Sequence, residues 1–181
     1  YLLIFMKKKI IITGGLGYIG TELCKLYSGV SWHHQIIVID NRFISERVNQ
    51  IRNWNIEFVQ GDILDKNLVE KYCKEADVVH HLAGVTDVPR TKSESSELQD
   101  KKIKEVGEKG TQNILDVIDD KCKIIFPSTH VVYEGLGKVK TEIKESEDTK
   151  PVLSYSTSKA INEEQLKKSG KNYIILRLGS V

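Results

Sequence analysis

The sequence predicts an α/β fold: a doubly wound parallel sheet with helices on both faces. Three observations predict it. Short, unbroken, β-rich apolar runs recur along the chain. Longer polar segments of helical period separate them. A glycine-rich turn joins the first run to the first helical segment. Apolar runs without alternation suit strands covered on both faces, and strand–helix alternation suits parallel pairing.

The elements follow in order. Lys7-Lys8-Lys9 is a solvated lead-in to the first strand, Ile10-Ile11-Ile12. Ile19, Leu23 and Leu26 mark the stripe of the first helix. Ile36-Ile37-Val38-Ile39, Ile56-Glu57-Phe58-Val59 and Val78-Val79 supply the next strands. The doubly charged segment Arg90 to Glu105 reads as a solvated helix face, and Ile103, Val106, Ile114 and Val117 mark the stripe of the helix that follows. Ile124-Ile125-Phe126 is the fifth strand. Glu134 to Lys150, polar with Gly135 and Gly137, is a long surface loop. Loops of that length are often functional. Tyr173-Ile174-Ile175-Leu176 is the sixth strand. The expected strand order is 3-2-1-4-5-6, with the glycine turn at the carboxyl ends of the strands.

A chain of 181 residues with 40% hydrophobic content has enough core for one domain and is short for two. Met6 is read as a native start, which leaves residues 1–6 as an extension or artefact ahead of a domain spanning 7–181. Tyr1 to Phe5 is too short to span a bilayer, and its charges follow the apolar stretch, the wrong order for a secretory signal. The net charge is +2, from 27 basic and 25 acidic residues. With no basic stripe interleaved with aromatics, neither nucleic acid nor a membrane is expected as a partner. Cys24, Cys73 and Cys122 are dispersed and form no CxxC pair, which argues against a disulfide framework and a zinc site. No metal is expected, and a reducing cytoplasm suits the three thiols. His33, His34 and His80 show no ligand spacing and read as surface or packing residues.

The first strand runs into Thr13-Gly14-Gly15-Leu16-Gly17-Tyr18-Ile19-Gly20. Gly14, Gly17 and Gly20 recur at every third position, between a strand and an amphipathic helix. Glycine permits the tight turn and lets backbone approach a pyrophosphate, while the helix starting near Gly17 points unpaired N–H groups at that anion. A glycine-rich turn without a ligand is the plain alternative. Asp40 decides between them, because it ends the second strand, 20 residues beyond Gly20. An acid there accepts hydrogen bonds from the adenosine ribose hydroxyls and repels a 2′-phosphate, so NAD is favoured over NADP. Arg42 lies close enough to soften that preference.

Further motifs follow: Gly61-Asp62-Ile63, His81-Leu82-Ala83-Gly84, Ser128-Thr129 with Val132-Tyr133, and Tyr155-Ser156-Thr157-Ser158-Lys159. Together, in this order from about Lys8 to the end of the chain, they resemble the extended short-chain dehydrogenase/reductases of the NAD-dependent epimerase/dehydratase group. The chemistry is intelligible beside the resemblance. Tyr155 and Lys159 stand four apart, so on a helix they share a face. An ammonium beside a phenol stabilises the phenolate and lowers the tyrosine pKa. Such a tyrosine can take a proton from a substrate hydroxyl as hydride leaves the same carbon. An ordinary helix pair is the plain alternative, and location after the glycine signature decides against it.

The resemblance implies roles residue by residue. Tyr155, Lys159 and Thr129 are catalytic, with Thr129 orienting the reacting oxygen and Lys159 also holding the nicotinamide ribose. Tyr18 and Ile19 join Gly14 and Gly17 at the phosphates, and Asn41 joins Asp40 at the ribose. Asp62 and Ile63 match adenine contacts. Leu82, Ala83 and Gly84 match the loop along the cofactor, and Ser128 sits beside the nicotinamide. His81 is expected to be structural, and Arg177 to follow the sixth strand and support the active-site loop.

Two departures stand out. The family usually has Asn-Val before Gly-Thr in the fourth helix, where this chain has Gly107-Glu108 before Gly110-Thr111. Sugar 4,6-dehydratases typically read Thr-Asp-Glu-Val-Tyr at the fifth strand end, where this chain reads Thr129-His130-Val131-Val132-Tyr133. Valine has no proton to move, so dehydration is disfavoured. Family members also continue with a smaller C-terminal part that closes over the sugar, and the resemblance implies that this part is missing here. The expected activity is that of an NAD-dependent nucleotide-sugar epimerase on a UDP-, GDP- or dTDP-linked sugar. The alternatives are a sugar dehydrogenase or reductase of the same family and a non-catalytic NAD-binding scaffold. A homodimer is implied through the helices from about Ser93 to Ile118 and from Tyr155 to Lys168.

Overall fold

The structure, a computed structural model, describes residues 6–85, 91–136 and 142–179. Arg90 and Gly137 therefore lie outside the described residues. Six strands form one sheet: β1 (Lys9–Thr13), β2 (Gln35–Asp40), β3 (Glu57–Gln60), β4 (Val78–His81), β5 (Lys123–Thr129) and β6 (Asn172–Leu178). Their order is β3-β2-β1-β4-β5-β6 and every pairing is parallel, as the sequence predicts.

Among the described residues, six α-helices connect them: α1 (Tyr18–Tyr27), α2 (Ser45–Asn53), α3 (Lys66–Cys73), α4 (Glu97–Lys104), α5 (Gly110–Val117) and α6 (Ser154–Lys168). Two of them start at a side-chain cap. Asp65 accepts the Asn67 and Leu68 amides ahead of α3, and Ser96 accepts the Gln99 amide ahead of α4.

The strand period sorts the apolar runs onto two cores. Ile11, Ile37, Ile39, Val79, Ile124 and Phe126 face one side, against Val69, Ile114, Leu115 and Leu166 of α3, α5 and α6. Ile10, Ile12, Ile36 and Val38 face the other, against Cys24 of α1 and Val48 and Ile51 of α2. Adjacent residues thus bury on opposite faces, which is why these strands show no polar alternation.

Two expectations need correcting. The buried stripe of α1 is Gly20 and Cys24, with Leu23 and Tyr27 packed beside them. Ile19 and Leu26 point outward, Leu26 with 79% of its surface exposed. The cause is Gly20, where a Cβ would lie 2.6 Å from the Gly15 Cα. Contact that close rotates the helix toward its glycine and cysteine. The sixth apolar run is not covered on both faces either. It forms an edge strand on which Tyr173, Ile174 and Leu176 are exposed.

His81 ties the sheet to α5. Its Nδ1 lies 2.9 Å from the Thr13 hydroxyl and its Nε2 3.0 Å from the Thr111 hydroxyl. Burial pulls its pKa down from 6.5 to about 3, and Lys159 adds to the shift. The native ring therefore stays neutral where the unfolded chain takes up a proton. Stability is held above pH 6.5 and lost as pH falls from there toward about 3. Urea unfolding across that range should show a steeper acid loss for the wild type than for His81→Gln. Equal slopes would rule out His81 as a source of acid lability.

Candidate active site

The sheet order reverses between β1 and β4, and a cleft of about 300 Å³ opens at that point. Open α/β sheets bind ligands at such a switch point, outside the carboxyl ends of the strands. One wall of the cleft is Gly14, Gly17, Tyr18 and Ile19, from the turn into α1. A second is Leu82, Ala83 and Gly84, after β4. The third is Ser128 and Thr129 at the end of β5 with Tyr155 and Lys159 of α6.

The turn is shaped by close backbone contact. Gly14 has φ +68, and a Cβ there would sit 2.7 Å from the Ala83 nitrogen. Any other residue would push β1 and β4 apart. Gly17 precedes α1 with extended backbone, no side-chain cap and no acidic residue in the first turn. A Cβ on Gly17 would meet only the Gly14 carbonyl oxygen at 3.1 Å and Arg42 Nη2 at 4.0 Å. Uncapped N–H groups facing open space at a helix start suit a diphosphate.

The residues expected at the adenosine end lie outside this cleft lining, at the ends of β2 and β3. Asp40 is buried and accepts the Leu16 amide at 3.0 Å, which pins the glycine turn to β2. Exposed Asn41 donates its side-chain amide to Asp62 at 3.1 Å, and Asp62 also accepts the Leu64 amide. The Ile63 side chain is in the core against Gly110, and its carbonyl accepts Asn113. Only its backbone is left to face a ligand.

Around α6 the geometry departs from the sequence reading. The Lys159 ammonium donates to the Pro127 carbonyl at 3.0 Å and lies 4.4 Å from the Phe126 ring centroid. Desolvation lowers its pKa to about 8. The Tyr155 ring centroid is 5.9 Å from that ammonium, and burial pushes the phenol up rather than down. Lys159 thus stands on the expected face without setting the tyrosine low in this state. Thr129 is nearly buried, and its hydroxyl accepts the Val131 amide.

Three features escaped the sequence reading. Glu163, wholly buried on α6, accepts the Ser128 hydroxyl at 2.6 Å and both Nε and Nη2 of Arg177, at 2.9 and 2.6 Å. Burial raises its pKa, but these bonds and the neighbouring cations outweigh it, and the net shift is downward. Arg177 lies within β6 rather than after it, and also donates to the Tyr133 hydroxyl and the Glu145 carbonyl. Its Nη1 reaches the loop after β5 while Glu163 anchors the rest of the guanidinium. Glu134 is the second feature. One of its oxygens accepts the Val152 and Leu153 amides, each at 2.7 Å, and the Ser156 hydroxyl. A residue from the far end of the loop thereby caps the helix that carries Tyr155.

The third feature explains Gly107-Glu108. Residues Glu105–Lys109 form a π-helical segment between α4 and α5. A Cβ on Gly107 would lie 2.2 Å from the Ser158 hydroxyl oxygen. The Gly107 and Glu108 carbonyls accept the side-chain amides of Asn162 and Gln165. Ser158 and Asn162 of α6 thus occupy the space that an asparagine at 107 would need. Such π segments recur at functional sites. Among the described residues, no group of three or more His, Cys, Asp or Glu side chains is placed to hold a metal ion. No described helix is long and apolar enough to cross a membrane.

Comparison with known proteins gives a consistent picture. Residues 10–181 match the model of the NAD dependent epimerase/dehydratase family. The chain is 34% identical over 166 residues to a UDP-N-acetyl-alpha-D-glucosaminuronate decarboxylase of Bacillus cytotoxicus, covering 87% of this chain and 49% of that protein. It is 32% identical over 171 residues to a UDP-glucose 4-epimerase of Neisseria meningitidis serogroup C, covering 86% and 46%. The fold superposes with TM-score 0.75 on a UDP-N-acetylglucosamine 4-epimerase from Methanobrevibacter ruminantium in complex with UDP-N-acetylmuramic acid, at 28% identity, covering 94% of this chain and 54% of that one. A UDP-glucose 4-epimerase from Brucella ovis in complex with NAD gives TM-score 0.73 at 28% identity, covering 93% and 50%. The chain spans about half the length of the curated relatives it matches.

The Glu163 network makes a stability prediction. Glu163→Ala should cost about 3–5 kcal/mol in urea unfolding, because it leaves Arg177 unpaired. Glu163→Gln should cost less, since an amide can still bond Ser128. Equal losses in the two variants would mean that packing alone is at stake.

Proposed function

This chain belongs to the NAD-dependent epimerase/dehydratase family, and on that premise we propose that it is the NAD-binding, proton-transferring half of a nucleotide-sugar epimerase. One observation carries the reading: Thr129, Tyr155 and Lys159 line the same cleft as the uncapped glycine turn. NAD, when bound, would supply a reversible hydride acceptor for transient oxidation of the sugar. The chain's own residues do the rest. Tyr18 and Ile19 hold the diphosphate through backbone amides at the start of α1, and Gly14 and Gly17, whose own amides donate to the Ile39 and Gly14 carbonyls, leave room for it to approach. Leu82, Ala83 and Gly84 form the facing wall, and Ser128 and Lys159 close the inner end.

Tyr155 takes the proton from the sugar hydroxyl. Its phenol is buried and set high, so the phenolate needs positive charge nearby. Two sources stand in place: the Lys159 ammonium, and the amino end of α6, in whose first turn Tyr155 lies. Turning Lys159 from the Pro127 carbonyl toward the cleft strengthens the first of these. The Thr129 hydroxyl, at the strand end, orients the reacting oxygen. His130 and Val131 stand where a dehydratase carries its Asp-Glu pair, and valine has no proton to move, which favours epimerisation over loss of water.

Two further proposals concern setting. A homodimer through α6 and the helices between about Ser93 and Ile118 is supported by a groove on α6 that includes Thr157, Ala160 and Ile161. A reducing cytoplasm is supported by Cys24, Cys73 and Cys122, which are free and buried.

In a polypeptide that turns over a UDP-sugar, Tyr155→Phe should lower kcat about 10²–10⁴-fold and leave NAD affinity nearly unchanged. Lys159→Ala should weaken both. Thr129→Ser should be tolerated, whereas Thr129→Val should slow the reaction, because the role needs only a hydroxyl. Steady-state kinetics with calorimetric NAD titration would check each. Near-normal turnover in Tyr155→Phe would remove tyrosine from the mechanism.

A further inference from the structure

The acid that should exclude a 2′-phosphate is not a bare carboxylate in this chain. The Asp40 side chain is 3% exposed and forms an ion pair with Arg42, Nε to Oδ1 at 3.3 Å. The same Oδ1 accepts the Arg42 backbone amide at 3.0 Å, and Arg42 Nη2 lies 3.5 Å from Oδ2. The Leu16 amide takes Oδ2 as well. Both oxygens therefore already face internal donors, and the negative charge is countered by a guanidinium that is itself 54% exposed.

That guanidinium sits over the phosphate turn. Its Nη2 is 4.0 Å from where a Gly17 Cβ would stand. With more than half of its side chain exposed, the guanidinium has surface left for a ligand. A second cation adjoins the turn, because Arg47 of α2 donates through Nη1 to the Leu16 carbonyl. The turn thus carries two guanidiniums against one carboxylate. Asp62 is the other acid nearby, and it is engaged by the Asn41 side chain and the Leu64 amide.

We propose that Arg42 makes the adenosine end of the cleft accept a 2′-phosphate, so that the chain binds NADP(H) with an affinity close to that for NAD(H). The proposal rests on the dinucleotide reading of the cleft. An exposed guanidinium matches a phosphate in shape as well as charge, with several N–H donors in a fixed plane. Paired to Asp40 it neutralises the repulsion, and swung outward it bonds the phosphate. In both positions it removes the selectivity that the acid alone would impose.

The test is calorimetric titration of the 181-residue chain with NAD, NADP, 5′-AMP and 2′,5′-ADP. The wild type should bind NADP within about tenfold of NAD. Arg42→Ala should weaken NADP and 2′,5′-ADP by about 10–100-fold, the loss expected of one charged hydrogen-bonding partner, and barely alter NAD or 5′-AMP. Arg42→Lys, which keeps charge without the fork, should fall between. If NAD binds and Arg42→Ala leaves NADP affinity unchanged, the inference is wrong and the dinucleotide reading survives. An NADP affinity more than about 10³-fold below that for NAD in the wild type overturns it too. If no dinucleotide binds a chain whose circular dichroism shows it folded, the reading of the cleft falls and the inference with it.

Discussion

Everything in this molecule that resembles a site depends on how closely two backbones approach at the ends of β1 and β4. Gly14 presses on Ala83, and Gly20 of α1 presses on Gly15. Thr13 braces the contact, accepting the Leu82 and Ala83 amides at its carbonyl and hydroxyl oxygens and bonding His81. Side chains in these places would force the first helix and the fourth strand apart. With hydrogen atoms there instead, the amino end of α1 sits at the mouth of the sheet with its donors uncapped. The cleft is the space that this approach leaves.

A second constraint comes from α6. One helix carries Tyr155, Ser158, Lys159, Asn162 and Glu163, and each is held by a different neighbour or lines the cleft. Glu134 fixes its start, Glu163 fastens its middle to β5 and β6, and Asn162 and Gln165 engage the π-helical segment. Because Glu134 and the Arg177 contacts both reach the segment between β5 and α6, the order of that loop and the placement of Tyr155 are coupled. Lys159 is buried even where the cleft opens, and that desolvation pulls its pKa down to about 8.

The sheet was legible because its signal is local. Six apolar runs and a glycine turn specify parallel strands whatever the rest of the chain does, and their order follows from topology rules. The α1 stripe was misjudged because apolarity was weighed above size: the buried positions are a glycine and a cysteine. That Thr129, Tyr155 and Lys159 come together at one cleft was legible through motif order, but the state of Tyr155 was not, since a pKa depends on burial that spacing does not encode. Glu163 and Glu134 were invisible for a related reason. A lone glutamate in a polar helix or loop looks solvated until the strand that brings Arg177 beside it, or the helix end that needs capping, is placed in space. Gly107 showed as a departure, and only the packing of Ser158 against it supplied the cause.

The central claim is that the glycine turn, the end of β4 and the inner face of α6 form one dinucleotide site. Backbone NMR of the isotopically labelled chain during titration with NAD tests it most directly. The account predicts saturable shifts concentrated at Gly14, Gly17, Tyr18, Ile19, Leu82 to Gly84, Ser128 and Lys159. Shifts confined to the outer face of α6, or no saturable change in a folded chain, would contradict it.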